Sequence, residues 1–228
     1  MGQRTTRIEL NVGLNLTLSP VTHILLDLDG TLYPKDNGIW EEISRRMEHY
    51  MAEVLAIPPA TIPALRQNYF LNYGTTLRGL QHNYNLDSEA YLAYVHDIDL
   101  SRYLEPDSRL RRVLLDLPQP KFIFTNADRD HSLRILTALG IQDLFNGIFD
   151  VWAMQYNNKP HPEVYTQALD FIGAGDPSSC VFVEDTPHNL PPAHELGMHT
   201  VLVGTGTSAA ADYTVTTIYE LSSLPLFR

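Results

Sequence analysis

The sequence has little cysteine, few basic residues and no long hydrophobic run. A single cysteine, Cys180, excludes a disulfide scaffold and suits a reducing compartment. The 16 Lys and Arg residues are outnumbered by 27 Asp and Glu, so a surface that binds nucleic-acid phosphates has little electrostatic support. No apolar stretch approaches the roughly 18 residues that a membrane-spanning helix needs. We therefore expect a cytoplasmic protein that binds neither nucleic-acid polymers nor membranes.

The composition is that of a globular protein with a substantial core. The chain has 228 residues, of which 44% are hydrophobic and 19% charged. At a typical size of about 150 residues per domain, this length fits one domain with a large insertion as well as two small domains. Residues 1–20 alternate weakly between polar and apolar, and Asn, Gly, Ser and Pro break the pattern, which predicts a loosely attached leader.

Short apolar runs predict strands that are buried on both faces, and they alternate with helical segments that end at glycine. This alternation favours an α/β fold with a Rossmann-like, doubly wound parallel sheet, in which ligands bind at the carboxyl ends of the strands. The predicted strands are residues 23–27, 121–125, 147–150, 180–184 and 200–203, and the predicted helices are residues 129–139, 162–172 and 189–196.

Residues 34–117 interrupt this alternation, and we call them the helical insertion. They show helical spacing over residues 39–55, 60–73, 88–97 and 108–117, with almost no strand-like runs. The insertion begins just after the first predicted strand and ends just before the second, so we expect an all-helical cap above the strand ends. The predicted core then comprises residues 21–33 and 118–228.

Polar residues with complementary chemistry follow successive predicted strands. Asp27 and Asp29 end the first strand, and two carboxylates this close need a cation or a proton to offset their repulsion. Mg²⁺ is suited to this role because it takes oxygen ligands and lets substrate phosphate complete its shell. Thr125 and Asn126 end the second strand and offer a hydroxyl and an amide to phosphate oxygens.

Two further groups complete the pattern. Lys159 precedes a predicted helix, where a cation and the helix dipole both favour an anion. Glu184 and Asp185 end the fourth strand and bring two more carboxylates to the same edge of the sheet. Together these residues predict a metal-assisted site for a phosphorylated ligand.

These residues resemble the four motifs of the haloacid dehalogenase (HAD) superfamily of phosphohydrolases, and the insertion resembles the helical cap of its C1 subgroup. Three further segments resemble the pyrimidine 5′-nucleotidase branch of that superfamily. The four motifs are residues 27–32, 125–126, 159–160 and 184–185, and the three further segments are residues 31–34, 73–80 and 95–97.

The resemblance implies a role for each motif residue. Asp27 would be the nucleophile that forms an aspartyl-phosphate, and Asp29 would be the general acid and base. Lys159, Thr125 and the backbone amide of Asn126 would hold the phosphoryl oxygens. The metal would be Mg²⁺, and its ligands would be Asp27, Asp29 through its backbone carbonyl, and Asp185, with Glu184 beside it.

The chain departs from the family pattern at one acidic position, and its substrate contacts are predicted in the helical insertion. Many relatives carry a further Asp a few residues after the fourth motif, where this sequence has Asn189. This change removes one negative charge near the metal. The predicted substrate contacts are Gly74, Thr75, Thr76 and Arg78.

The preferred interpretation is a Mg²⁺-dependent phosphatase acting on small phosphorylated metabolites, with nucleoside 5′-monophosphates as the preferred class. A dehalogenase would need neither the metal nor Asp29. A sugar-phosphate phosphatase or phosphomutase shares the same groups and stays an alternative, as does an inactive protein that binds phospho-ligands. A receiver-like phospho-switch is disfavoured because such modules are about half this length and lack a cap.

Overall fold

The computed structural model describes residues 20–227, which contain a six-stranded, fully parallel sheet. The strand order is β3-β2-β1-β4-β5-β6, so β2 and β3 lie on one side of β1, and β4, β5 and β6 lie on its other side. A crevice for ligands is expected where the order reverses, between β1 and β4. The strands are β1 His23–Leu26, β2 Lys121–Phe124, β3 Gly147–Phe149, β4 Cys180–Glu184, β5 His199–Val203 and β6 Tyr213–Val215.

The sheet is buried on both faces because successive residues of its central strands are all apolar. Ile24 and Leu26 of β1 join one hydrophobic cluster, whereas Leu25 between them joins another. In β4, Val181 and Val183 face the first cluster and Phe182 faces the second. This period of two matches the alternation of side chains along a strand.

Helices cover the sheet and fill the helical insertion, and the predicted α/β, Rossmann-like fold is confirmed. The helices are α1 Ile39–Glu53, α2 Ile62–Tyr73, α3 Thr76–Asn83, α4 Ser88–His96, α5 Ser108–Leu115, α6 Arg129–Ala138, α7 Pro162–Ile172 and α8 Pro191–Glu195. The sequence pattern missed α3, because the predicted helix of residues 60–73 ends where α2 ends and residues 76–83 were assigned to no helix. It also missed β6, because Thr214 in the middle of this strand is polar and exposed and the run is therefore not continuously apolar.

The helical insertion has a hydrophobic cluster of its own. Tyr50, Tyr69, Leu80 and Tyr91 are among its buried residues. In contrast, Leu110, Val113 and Leu114 of α5 belong to the hydrophobic cluster that contains Ile24 and Leu26 of β1. The last helix of the insertion therefore packs with the sheet, and the division of the chain at residues 33 and 117 stays a prediction.

The predicted loose leader covers residues 1–20, of which all but the last lie outside the described part of the chain. Across residues 20–227, none of the helices combines the length and the apolar character needed to cross a lipid bilayer. Cys180 is a free, buried thiol in the sheet and packs as a small hydrophobic residue.

Candidate active site

The polar ends of β1 and β4 meet at the reversal of strand order. Leu26 pairs with Val183, and the backbone N–H of Asp27 donates to the Val183 carbonyl at 2.9 Å. This ladder places Asp27 beside the end of β4, where Glu184 is the last strand residue and Asp185 follows. The parallel register thus brings acids that are far apart in the sequence to one place.

Lys159 is the centre of the site, although it is almost completely buried at 1% exposure. Its ammonium group donates three hydrogen bonds of 2.8 Å each, to Asp27 Oδ1, Glu184 Oε2 and the Phe124 carbonyl. These contacts use all three of its donors. A buried lysine that is fully paired in this way is held in one position.

Asn126 fixes the backbone of Lys159 from the end of β2. Its side-chain oxygen accepts the Lys159 N–H at 2.8 Å, and its amide group donates to the Lys159 carbonyl at 3.1 Å. Both polar atoms of the Asn126 side chain therefore bind the backbone of Lys159. The resemblance to the superfamily motifs assigns phosphate binding to a different group, the Asn126 backbone amide. Thr125 is buried next to it, and its hydroxyl oxygen accepts the Ala127 N–H at 3.1 Å.

Asp27, Glu184 and Asp185 form a carboxylate cluster with excess negative charge. Oxygen atoms from the three residues lie within 4.8 Å of one another. Burial raises the pKa of Asp27 well above its usual value, and the neighbouring Glu184 raises it further, while Lys159 opposes both effects. One ammonium cannot neutralise both Asp27 and Glu184, so the cluster favours an additional cation.

Asp185 is the member of the cluster that pairs with a cation from the solvent side. Lys35 Nζ lies 2.9 Å from Asp185 Oδ2. Burial and the charge of Glu184 nevertheless raise the pKa of Asp185 to about 6. Gly30 packs against this carboxylate, since a Cβ at its position would lie 2.7 Å from Asp185 Oδ2. The φ of Gly30, +91°, also favours glycine.

Glu184 accepts hydrogen bonds from four surrounding protein groups. Its Oε1 accepts the backbone N–H groups of Asp185 and Thr186 at 3.1 and 3.0 Å. Its Oε2 accepts from Lys159 at 2.8 Å and from the Asn189 side chain at 3.1 Å. Four accepted bonds use about the full capacity of a carboxylate. Asn189 is thus a donor that stabilises Glu184.

The cluster fits a hard divalent cation. It offers carboxylate oxygens, which Mg²⁺ prefers, and a negative charge that the protein leaves uncompensated. Asp27 and Asp185 have oxygen lone pairs left for a metal, whereas those of Glu184 are engaged by protein donors. Glu184 therefore suits a supporting position next to the metal better than direct coordination.

Asp29 lies apart from the cluster and has different partners. Its Oδ1 accepts hydrogen bonds from the hydroxyl of Tyr33 and from His131 Nε2, the latter at 2.9 Å. Burial by itself raises the pKa of Asp29, but His131 and Tyr33 outweigh it and lower the pKa below the usual value. The two aspartates of the first motif are thus held in different environments, as different chemical roles require.

A cavity of about 490 Å³ joins these groups to the helical insertion. Asp27, Asp29, Lys159 and Asp185 line its floor. The walls contributed by the insertion include three of the four predicted substrate residues, Gly74, Thr75 and Thr76. Arg78 does not line the cavity, and its side chain instead donates to Gln81 at 3.3 Å.

Gly74 also has a packing role that the sequence did not reveal. It ends α2 at a φ of +80°, and a Cβ there would lie 2.2 Å from Asn158 Nδ2. Asn158 donates to the Tyr73 carbonyl at 3.1 Å and directly precedes Lys159. The end of α2 is therefore packed tightly against the segment that carries the central lysine.

Sequence reasoning missed several residues of the cavity and its surroundings. Trp40 and Phe70 line the cavity with side chains that are 45% and 46% exposed, and Arg66 lies with them. Helical spacing gave no sign of which face of α1 and α2 meets the cavity. His131 could have been considered, because the first turn of a helix that follows a strand lies at the carboxyl edge of the sheet.

Comparison with known proteins connects this geometry to a family. A family model described as haloacid dehalogenase-like hydrolase matches residues 21–197. The chain is 28% identical over 190 residues to Phosphate metabolism protein 8 of Saccharomyces cerevisiae, a match that covers 77% of this chain and 59% of the yeast protein. It is 37% identical over 68 residues to Bifunctional epoxide hydrolase 2 of Mus musculus, covering 30% of this chain and 12% of the mouse protein. The chain thus spans about three-fifths of the yeast relative's length.

Solved structures share the fold across most of the chain. A HAD phosphatase from Thermococcus onnurineus superposes with a TM-score of 0.62 at 19% identity, covering 89% of this chain and 97% of that one. The magnesium-bound HAD hydrolase YfnB of Bacillus subtilis gives 0.60 at 14% identity, with 90% and 98% covered. The L-2-haloacid dehalogenase of Xanthobacter autotrophicus gives 0.59 at 19%, with 89% and 97% covered. At these identities the likeness establishes the fold.

Proposed function

The chain belongs to the haloacid dehalogenase-like hydrolase family, and on that premise we propose that it hydrolyses phosphate monoesters through an aspartyl-phosphate on Asp27. The observation that carries this proposal is the pairing of Asp27 with Lys159 on the floor of a cavity that also contains Asp29. A nucleophile, a fixed cation and a second carboxylate with a separate environment are the groups that phosphoryl transfer requires.

Asp27 begins the reaction by attacking phosphorus. A carboxylate oxygen forms a bond to phosphorus while the bond from phosphorus to the ester oxygen breaks. Lys159, the Thr125 hydroxyl and the Asn126 backbone amide stabilise the negative charge on the phosphoryl oxygens during this transfer. Because the three donors of Lys159 are engaged by Asp27, Glu184 and the Phe124 carbonyl, this residue acts on the phosphoryl oxygens through its positive charge.

Asp29 transfers a proton in each step, the formation and the hydrolysis of the aspartyl-phosphate. The negative charge of a bound phosphate raises the pKa of Asp29 from its lowered value, and the carboxylic acid form gives a proton to the leaving alkoxide. The resulting carboxylate then takes a proton from the water that attacks the aspartyl-phosphate. Inorganic phosphate is released and Asp27 is regenerated. A dehalogenase that expels a halide has no alkoxide to protonate, so the hydrogen-bonded Asp29 favours phosphate ester hydrolysis.

Asp27, Asp185 and the backbone of Asp29 are the groups that would hold Mg²⁺, with Glu184 stabilising them from behind. When bound, the ion would supply positive charge that reduces repulsion between the anionic nucleophile and the anionic substrate. The excess negative charge of the carboxylate cluster supports this assignment.

We propose nucleoside 5′-monophosphates as the substrate class. Its volume of about 490 Å³ lies within the range typical of small-ligand sites. The exposed aromatic rings of Trp40 and Phe70 offer apolar faces for a planar base, and Thr75 and Thr76 offer hydroxyls. The name of the yeast relative, Phosphate metabolism protein 8, is consistent with phosphate chemistry.

The proposal is tested by phosphate release from a panel of esters, each assayed with Mg²⁺ and with chelator. The panel contains nucleoside 5′-monophosphates, sugar phosphates, phospho-acids and p-nitrophenyl phosphate, and 2-chloropropionate is included to detect halide release. We expect chelator-sensitive phosphate release, fastest from UMP and CMP. A preference for a sugar phosphate would retain the chemistry and refute the nucleotide class. Halide release without phosphate release would refute the proposed reaction.

A further inference from the structure

We propose that His131 is a positioning residue that orients Asp29 for proton transfer to the leaving group. This inference rests on the proposed phosphate ester hydrolysis and adds to it a residue that none of the four motifs contains. It follows from which oxygen of Asp29 is bonded, from how His131 itself is fixed, and from what its burial costs.

Both protein donors to Asp29 bind the same oxygen. Tyr33 and His131 Nε2 donate to Oδ1, and within residues 20–227 Oδ2 has no hydrogen-bond partner. The carboxylate therefore has one oxygen fixed by the protein and one left for the substrate. Asp29 lines the cavity, so the free oxygen is available to a ligand there. Fixing Oδ1 sets the direction in which Oδ2 presents its proton.

His131 is held rigidly enough to serve this purpose. It lies in the first turn of α6, and its backbone N–H donates to the capping carboxylate of Asp128 at 2.8 Å. Its ring stacks on that of His96 at a centroid distance of 4.2 Å. His96 Nδ1 in turn lies 2.5 Å from Asp128 Oδ2. Asp128 thus positions both histidines.

The stack also joins the two parts of the molecule. His96 is the last residue of α4 in the helical insertion, whereas His131 and Asp128 lie beside the sheet. The ring that contacts Asp29 is therefore supported by a residue of the helical insertion. The position of the insertion and the orientation of the proton donor are linked through this pair of rings.

Stability alone does not explain why a histidine occupies this position. His131 is 1% exposed, and its Nδ1 is a buried atom that finds no hydrogen-bond partner among residues 20–227. An unpaired buried nitrogen is unfavourable, and an apolar ring would fill the same space without that cost. The feature that an apolar ring would lack is the donor to Asp29 Oδ1.

The test uses the difference between leaving groups. An alkoxide needs a proton to depart, whereas p-nitrophenolate is stable as an anion and needs little help. Because kcat/KM reports steps up to departure of the leaving group, it isolates this requirement from the later attack of water. The variants are His131→Phe, which keeps a ring and removes the donor, and His131→Gln, which provides an amide donor.

We expect His131→Phe to lower kcat/KM about a hundredfold for the best alkyl phosphate of the panel and less than about tenfold for p-nitrophenyl phosphate. His131→Gln should recover most of the difference. His199→Phe, which changes a histidine of β5 away from the site, is the matched control and should leave the ratio between the two substrates unchanged.

Equal losses on both substrates would overturn the positioning role, as would an unchanged kcat/KM on the alkyl phosphate. If His131→Phe does not fold, as judged by urea unfolding, Tyr33→Phe removes the other donor to Oδ1 at little change in volume. It should shift the ratio in the same direction, and no shift would overturn the proposal. Failure of the wild-type protein to hydrolyse any phosphate ester would instead refute the proposed function.

Discussion

Lys159 is the residue on which the charge balance of the site depends. Burial lowers the pKa of Lys159, but the contacts with Asp27 and Glu184 outweigh it and raise the pKa above the usual value, so the side chain is cationic. Its ammonium group also lies 5.0 and 5.2 Å from the ring centroids of Phe124 and Phe182. Removing the cation would leave two buried carboxylates facing each other.

We therefore predict that Lys159→Met destabilises the fold and abolishes activity. Removing one partner of a buried ion pair costs about 3–5 kcal/mol, and losing the phosphate-binding cation should lower kcat/KM at least about a hundredfold. Lys35→Met is the matched control because it removes an ion pair whose lysine is exposed, and it should cost less than about 1 kcal/mol. Urea unfolding and steady-state kinetics measure both effects, and equal stability of the two variants would contradict this account.

At the scale of single elements, the carboxyl end of β4 determines how the site responds to pH. The strand itself is apolar and buried, and it places Glu184 and Asp185 at its end. The pKa of Asp185 is raised to about 6 by burial and by Glu184, so this carboxyl becomes protonated as the pH falls below that value. A protonated carboxyl does not bind Mg²⁺, and metal affinity must fall in the same range.

We predict that Mg²⁺ binding, measured by isothermal titration calorimetry, is about tenfold weaker at pH 5 than at pH 8. The variant Asp185→Asn should bind Mg²⁺ more weakly at every pH and depend less on pH between pH 5 and pH 7, with the remaining dependence due to Asp27, whose pKa is also raised. Asp116→Asn, which changes an exposed acid outside the site, should behave like the wild type. Affinity that is constant from pH 5 to pH 8 would show that Asp185 is not a ligand with a raised pKa.

At the scale of the whole molecule, the sheet was predictable from the sequence because its central strands are continuous apolar runs. Each run ends in polar residues, so the pattern that predicts a strand also indicates where its functional end lies. Asp27, Thr125 and Glu184 are recognisable for this reason. β6 was missed because its three residues provide no such pattern.

The contacts across the fold were not predictable in the same way. His131 is separated from Asp29 by 102 positions, and no local spacing relates the two residues. Trp40 and Phe70 lie on helices whose apolar residues serve both the interior and the cavity, so periodicity alone does not separate the two uses. The parallel pairing of β1 with β2 reveals the contact of His131 with Asp29, and the packing of the helical insertion against the sheet reveals the positions of Trp40 and Phe70.

The role of Asp27 as the nucleophile of a phosphohydrolase is tested by measuring kcat/KM of Asp27→Asn with the best substrate of the panel. An amide oxygen is a poor nucleophile, so we predict a loss of more than about a thousandfold, with a fold that remains intact by circular dichroism. Asp116→Asn should retain wild-type activity. Retention by Asp27→Asn of about a tenth or more of the wild-type kcat/KM would contradict the account.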